Sequence, residues 1–285
     1  MPDTPKCLVV VGVGLIGGSI ALAARSCGRN WRVVGVARSE ASRQRVLKSS
    51  VVAEATTDLA AAAQRADVLI ACTPVSEVAR TLLTAARHCS AETLLTDAGS
   101  TKRQIVADVE GGLAGKSAAP AFVGSHPLAG DHRSGPESAR ADLLADRLVI
   151  VTPSGRTPTG VADRACAFWE SLGAESRQMA PAEHDAALAR TSHLPHLVAA
   201  AVAAATPTDA LPVTATGWRD TTRVAAGPPA LWRDILLANR GDVVAAIESV
   251  EGALSEFRQA LVDRDADRIE QLLEQGRRRR EAVGD

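Results

Sequence analysis

The chain has 285 residues, 46% of them apolar, and a formal net charge of -1. That length fits one or two domains whose core needs no disulfide staples, and the near-zero charge excludes a broad electrostatic attraction to nucleic acid or an anionic membrane. With three Phe, four Trp and no Tyr the core must be built from Ala, Val and Leu, while the five scattered cysteines, without CxxC or metal spacing, read as free thiols of a reducing cytoplasm.

The N-terminus runs almost directly into a strand with no signal-peptide core, and no stretch approaches the ~20 apolar residues of a membrane span, so a soluble cytoplasmic protein is expected. Short apolar runs then alternate with helical patterns, the signature of βα units around a parallel sheet. Strands are predicted at residues 7–12, 32–37, 68–72, 94–97, 122–125 and 148–152, and helices near 15–27, 40–49, 76–88 and 101–108. A loop rich in Ser, Gly, Thr and Pro at 153–160 leads to a helix near 161–172 and an edge strand at 175–179. Beyond Pro181 the periodicity is helical, at 182–205, about 228–239, 243–262 and 266–280. The basic run 277–280 closes the last helix, where cations complement the dipole.

The first predicted strand ends in Gly12-Val-Gly14-Leu15-Ile16-Gly17, a GxGxxG turn that opens the first helix. In that setting Gly12 permits the tight turn, Gly14 lets the backbone approach a pyrophosphate, and Gly17 lets helix and strand pack closely, with helix N–H groups facing the anion. The expected fold is therefore α/β: a Rossmann-like dinucleotide-binding domain over residues 1–179 and an all-helical domain over 180–285. An acidic residue at the end of the second strand would grip the ribose hydroxyls of NAD. Here Arg38 and Ser39 follow the strand instead, and both suit a 2′-phosphate, so NADP is favoured and NAD remains possible. Arg38 as a solvated helix-start residue, with Glu40 on the ribose, is the alternative.

Thr73 and Ser100 follow the strands at 68–72 and 94–97, at the carboxyl edge where ligands of such sheets lie, and either hydroxyl can also cap the next helix. His126, in Gly-Ser-His-Pro-Leu-Ala-Gly, is expected on a loop at the same edge, placed to take a proton from a substrate hydroxyl near neutral pH. His193 and His196 share a helix face three residues apart, and Pro195 between them predicts a kink. No cysteine or carboxylate cluster completes a metal site around them, so substrate contacts are expected and no metal. Arg223 can clamp a carboxylate bidentately or pair with a surface acid.

Taken in order, GVGLIGGS, DAGSTK, GSHPLAGDHRSG, SHLPH, WRDTTRVA and LWRDIL resemble the prephenate/arogenate dehydrogenase family of tyrosine biosynthesis. The resemblance implies a homodimer formed through the C-terminal helices, with the active site between the domains. It also implies that His126 is the catalytic histidine and Ser100 the serine hydrogen-bonded to it. Arg223 matches the arginine on a substrate carboxylate, His193 and His196 the substrate-side histidines, and Trp232 an aromatic near the pocket. Where many relatives have Thr-Glu-Lys after HPxAG, this chain has Asp131-His132-Arg133, and Asp131 beside His126 suits the ammonium of arogenate.

The expected reaction is oxidative decarboxylation of prephenate to 4-hydroxyphenylpyruvate with hydride transfer to NAD(P)+, or of arogenate to tyrosine. The alternatives are a related dehydrogenase or reductase acting on 3-hydroxy acids or imines, and a non-catalytic nucleotide-binding regulator.

Overall fold

A computed structural model describes residues 5–116, 118–131 and 133–284, so His132 lies outside the described residues. Six parallel strands form the main sheet: β1 (Lys6–Val11), β2 (Trp31–Val36), β3 (Glu54–Thr56), β4 (Val68–Ala71), β5 (Leu94–Asp97) and β6 (Ala121–Phe122). Their spatial order is β3-β2-β1-β4-β5-β6, connected through helices α1 (Leu15–Ser26), α2 (Glu40–Lys48), α3 (Leu59–Ala63), α4 (Val75–Ala86) and α5 (Arg103–Leu113). Alternate residues of β1 feed opposite layers, Leu8 and Val10 packing with α1, Val9 and Val11 with α4, which is why the strand is apolar throughout. The order reverses between β1 and β4, and the crevice at that switch point opens beside the glycine turn.

The strand predicted at 122–125 is two strands. The chain breaks at Val123, and β7 (Gly124–Pro127) joins a second sheet with β8 (Leu148–Thr152) and β9 (Glu175–Gln178), in the order β7-β8-β9. β7 is antiparallel to β8 and makes no ladder with the six parallel strands. Its attachment to β5 is through side chains instead: Asp97 Oδ1 accepts from Ser125 N (3.0 Å), and the Thr96 and Ser125 hydroxyls are 2.7 Å apart. Lys102, fully buried, pairs with Asp97 and donates to Ser125 O (2.7 Å). Helix α6 (Val161–Ser171) buries Phe168 and Trp169 beneath the two sheets.

The helical part comprises α7 (Pro181–Leu188), α8 (Leu194–Ala205), α9 (Thr216–Thr222), α10 (Pro229–Ala238), α11 (Arg240–Asp263) and α12 (Ala266–Glu281). The helix predicted at 182–205 is interrupted by a π turn at Ala189–His193, upstream of Pro195. Pro195 falls in the first turn of α8, where its missing N–H is tolerated, and the wide turn relieves the ladder before it. No described helix is long and apolar enough to cross a membrane.

Candidate active site

The glycine turn has the geometry its spacing implies. Gly12 adopts φ +91°, and a Cβ there would stand 2.6 Å from Cys72 O; one at Gly17 would stand 2.3 Å from Gly12 O. A Cβ on Gly14 would meet nothing within 4 Å, because this residue faces the open crevice. The groove has two halves that meet at Gly14, Thr73 and Gly135. The first, of about 790 Å³, is walled by Gly12, Arg38, Ser42, Arg45 and Arg80. Thr73 Oγ1 is buried there without a hydrogen-bond partner among the described residues, an orphaned polar atom at the junction. A cradle of glycine backbone, an unmatched hydroxyl and cations at the far end fit a nicotinamide dinucleotide.

Within this half, Ser39 does not face the groove. Its hydroxyl caps α2, accepting from Ser42 N at 3.2 Å and donating to Ser42 Oγ, and Ser42 takes the place on the wall. Glu40 is turned to Arg43 and Gln44, which hold its carboxyl down at about 2, so it is committed away from a ribose. Arg45 pairs with Glu137 and Arg80 with Glu77; Arg38 makes no ion pair among the described residues.

The second half, of about 1000 Å³, runs from Gly14, Leu15, Ile16 and Gly17 past Ser100 and His126 to His193 and Trp232. His126 is not on a loop: it is the third residue of β7, carried to the mouth of the crevice by the strand that Asp97 and Lys102 fasten to β5. Its Nδ1 lies 2.9 Å from His184 Nε2, so the partner of this histidine is His184 rather than Ser100. Ser100 shares the crevice wall, and its hydroxyl has no hydrogen-bond partner among the described residues. His184 Nδ1 donates to Asp185 Oδ1 at 2.8 Å. Asp185 accepts in addition from the backbone N of Lys102 (2.7 Å) and of Arg103 (2.9 Å), at the start of α5. Burial alone would raise the Asp185 carboxyl, but the His184, Arg103 and Lys102 hydrogen bonds together hold it below its ordinary value. Burial, reinforced by His184, Lys102 and His193, pushes His126 well below the ordinary histidine value, so it is neutral at physiological pH.

His193 is fixed by Asn239. The carbonyl of Asp185 needs a donor, so the Asn239 amide nitrogen faces it at 2.8 Å; the same NH₂ group reaches His193 Nδ1 at 3.1 Å. His193 therefore accepts on Nδ1 and carries its hydrogen on Nε2. Burial lowers this histidine to about 4. His196 lies behind the wall, stacked on Trp232 with centroids 3.6 Å apart and planes at 16°.

Asp131 lines the crevice but is bound to Arg133, whose backbone N (3.0 Å), Nε (3.1 Å) and Nη2 (2.8 Å) all reach its carboxylate. Arg223 opens an exposed turn, and the turn's Gly227 packs on Trp232 and His196; its guanidinium is not on the crevice wall. His184, Asp185 and Asn239 were not singled out by motif or spacing. Their sequence signal is weak: a His-Asp pair just inside a helix that starts with Pro181.

A neutral imidazole at the end of a dinucleotide groove is what the oxidation of an alcohol needs, because the hydroxyl must lose its proton as its carbon loses hydride. The protein is a nicotinamide-dependent dehydrogenase of two domains, a Rossmann-like sheet followed by helices. Residues 20–178 match the nucleotide-binding domain of prephenate dehydrogenase and residues 180–275 its dimerization domain, so the chain belongs to the prephenate dehydrogenase family. A cyclohexadienyl dehydrogenase of Zymomonas mobilis is 30% identical over 98% of this chain and 96% of its own length. Prephenate dehydrogenase from Aquifex aeolicus, solved in complex with hydroxyphenyl propionate and NAD+, superimposes with a TM-score of 0.89 at 28% identity, covering 99% of this chain and 100% of that one. Synechocystis arogenate dehydrogenase superimposes at 0.82 with 28% identity over 98% and 100% of the two chains.

Proposed function

We propose that this protein oxidatively decarboxylates prephenate to 4-hydroxyphenylpyruvate in tyrosine biosynthesis, as a cytoplasmic homodimer whose two domains divide at Met179, and that it uses NADP in preference to NAD. The observation that carries the reading is the neutral His126 on one wall with Ser100, in the groove that begins at Gly14. The nicotinamide ring, when bound, supplies the acceptor for the hydride leaving the hydroxyl-bearing carbon. His126 takes the hydroxyl proton on its open nitrogen, and Ser100 donates to the same oxygen and holds it in place. The carbon–carbon bond to the ring carboxylate then breaks, its electron pair enters the ring as CO₂ departs, and the phenolate oxygen recovers the proton from His126. No proton is gained or lost overall. General-base assistance of this kind is worth about 10²- to 10⁴-fold.

His193 presents an Nε2 hydrogen to the substrate side chain, and Trp232, backed by His196, forms the flat wall for the ring. Arg223 holds a carboxylate from the turn packed on that wall. Asp131 has its charge met by Arg133, which favours the keto acid over the ammonium of arogenate. For the cofactor, the support is Arg38: it is the cation of the adenosine half that makes no ion pair among the described residues, and no carboxylate ends β2. Exposed Leu254, Leu261, Val262 and Leu273 on α11 and α12 support burial against a second copy. The five free cysteines suit a reducing compartment.

Assaying prephenate and arogenate against NADP and NAD tests this directly. The expected highest kcat/KM is for prephenate with NADP; a higher value for arogenate would transfer the role of Asp131 to its ammonium.

A further inference from the structure

Four hydrogen bonds link His126 through His184 and Asp185 to the first turn of α5, and the direction of each is determined by chemistry. Resting on the reading of His126 as the base, we infer that His184 and Asp185 are positioning residues that keep the hydrogen of His126 on Nδ1 and leave its Nε2 lone pair open to the crevice.

The argument starts from the carboxylate. The opening turn of a helix has N–H groups without intrahelical acceptors and favours negative charge. Asp185 sits there, one oxygen on Lys102 N and the other on Arg103 N, and so remains an anion with no hydrogen to give. The hydrogen between it and His184 therefore belongs to His184 Nδ1. With its hydrogen on Nδ1, the fully buried His184 turns the lone pair of Nε2 towards His126, and His126 Nδ1 donates across the 2.9 Å gap. His126 then has no hydrogen left for Nε2.

Among the described residues His126 Nδ1 has no other hydrogen-bond partner than His184. The groups facing His126 are His184 from α7, Lys102 from the start of α5, and His193 from the π turn, and the Lys102 ammonium is a donor already paired with Asp97. With the hydrogen on Nε2 instead, His126 would present an N–H to the substrate hydroxyl and could not take its proton. When Nε2 is protonated during turnover, the imidazolium stays anchored through Nδ1, and the carboxylate at the end of the line stabilises it without itself moving a proton.

The test uses the full chain labelled with ¹⁵N-histidine, which has six histidines to assign, and three variants. In the ligand-free wild type, long-range ¹H–¹⁵N correlations are expected to give Nδ1–H tautomers for His126 and His184. An Nε2–H tautomer at His126, or a doubly protonated His184, overturns the inference whatever the variants do. His184→Leu is expected to lose the single tautomer at His126 and to lower kcat about 10²-fold or more, with KM for either substrate changed only a few-fold. His184→Gln, whose amide can accept from His126 and donate to Asp185, is expected to restore the tautomer and most of the lost kcat. Near-normal kcat in His184→Leu with His126 still protonated on Nδ1 overturns the inference. His126→Asn serves as the separate check on the base: if it alone retains turnover, the assignment of His126 fails, whereas its loss of turnover beside an unaffected His184→Leu refutes only the positioning role.

Discussion

The two halves of the groove solve opposite problems. The half beyond Gly12 is walled by cations that stay near water, two of them tied to acids on their own surface, Arg45 to Glu137 and Arg80 to Glu77. Such exposed pairs contribute little to stability and leave the charge available to an incoming phosphate. The reacting half has His184 and His193 buried, burial pushes His126 and His193 towards the neutral form, and the partners are themselves held, His184 by Asp185 and His193 by Asn239. Affinity for a dinucleotide comes from charge and backbone placed at a surface; proton transfer needs a neutral ring with a defined hydrogen, which only a packed environment provides.

The sharpest way to break this comparison is to ask which arginine serves the reacting half. Arg133 is on its wall but bound to Asp131, whereas Arg223 is on an exposed turn beside it. Arg223→Ala is expected to lower kcat/KM for prephenate about 10²-fold, chiefly through KM, the loss of a charged hydrogen-bonding pair; Arg133→Ala is expected to stay within a few-fold. Steady-state kinetics with the carboxylate substrate checks both, and the reverse ranking would move the clamp to the loop after β7. For the other half, Arg38→Ala is expected to raise KM for NADP about 10-fold and to leave KM for NAD nearly unchanged. An equal rise for both cofactors would remove the 2′-phosphate from that site.

The smallest expected effect is on stability against pH, and its sign follows from burial. His193 has a folded value of about 4 against an ordinary 6.5, so between those values the unfolded chain binds the extra proton. Stability is then complete above about pH 6.5 and declines as pH falls towards 4. Urea midpoints across that range are expected to fall with pH, and His193→Asn is expected to flatten part of the slope. Activity has a different profile: with His126 well below 6.5, kcat/KM should hold level as pH drops through 6.5 and fall only further down.

The same division explains what could be read in advance. The apolar runs of β1 and β4 and the spacing of Gly12, Gly14 and Gly17 are local signals, and the two strands and the tight turn between β1 and α1 stand where those signals put them. Three-residue β3, with two polar members, carries no such pattern. Residues 122–125 read as one strand because nothing local marks the change of sheet at Val123; that change is imposed by Asp97 and Lys102 acting on Ser125 from elsewhere in the chain. Ser39 looked available to a phosphate, but the helix behind it takes its oxygen first. His184 and Asp185 read as polar residues at a helix start, and α7 shows no apolar stripe, so their burial comes from packing against α5 rather than from periodicity. The partners of His126 are thus tertiary facts, 58 residues away in sequence.

Asp185 belongs to the helical part, yet it caps a helix of the sheet part. Part of the seam between the two parts and the preparation of the base are consequently the same few hydrogen bonds. A swing of the helices away from α5 that widens the crevice would uncap that helix, release His184 and disarm His126 in a single motion. Whatever strengthens those hydrogen bonds would therefore also raise the fraction of molecules with His126 held ready to react.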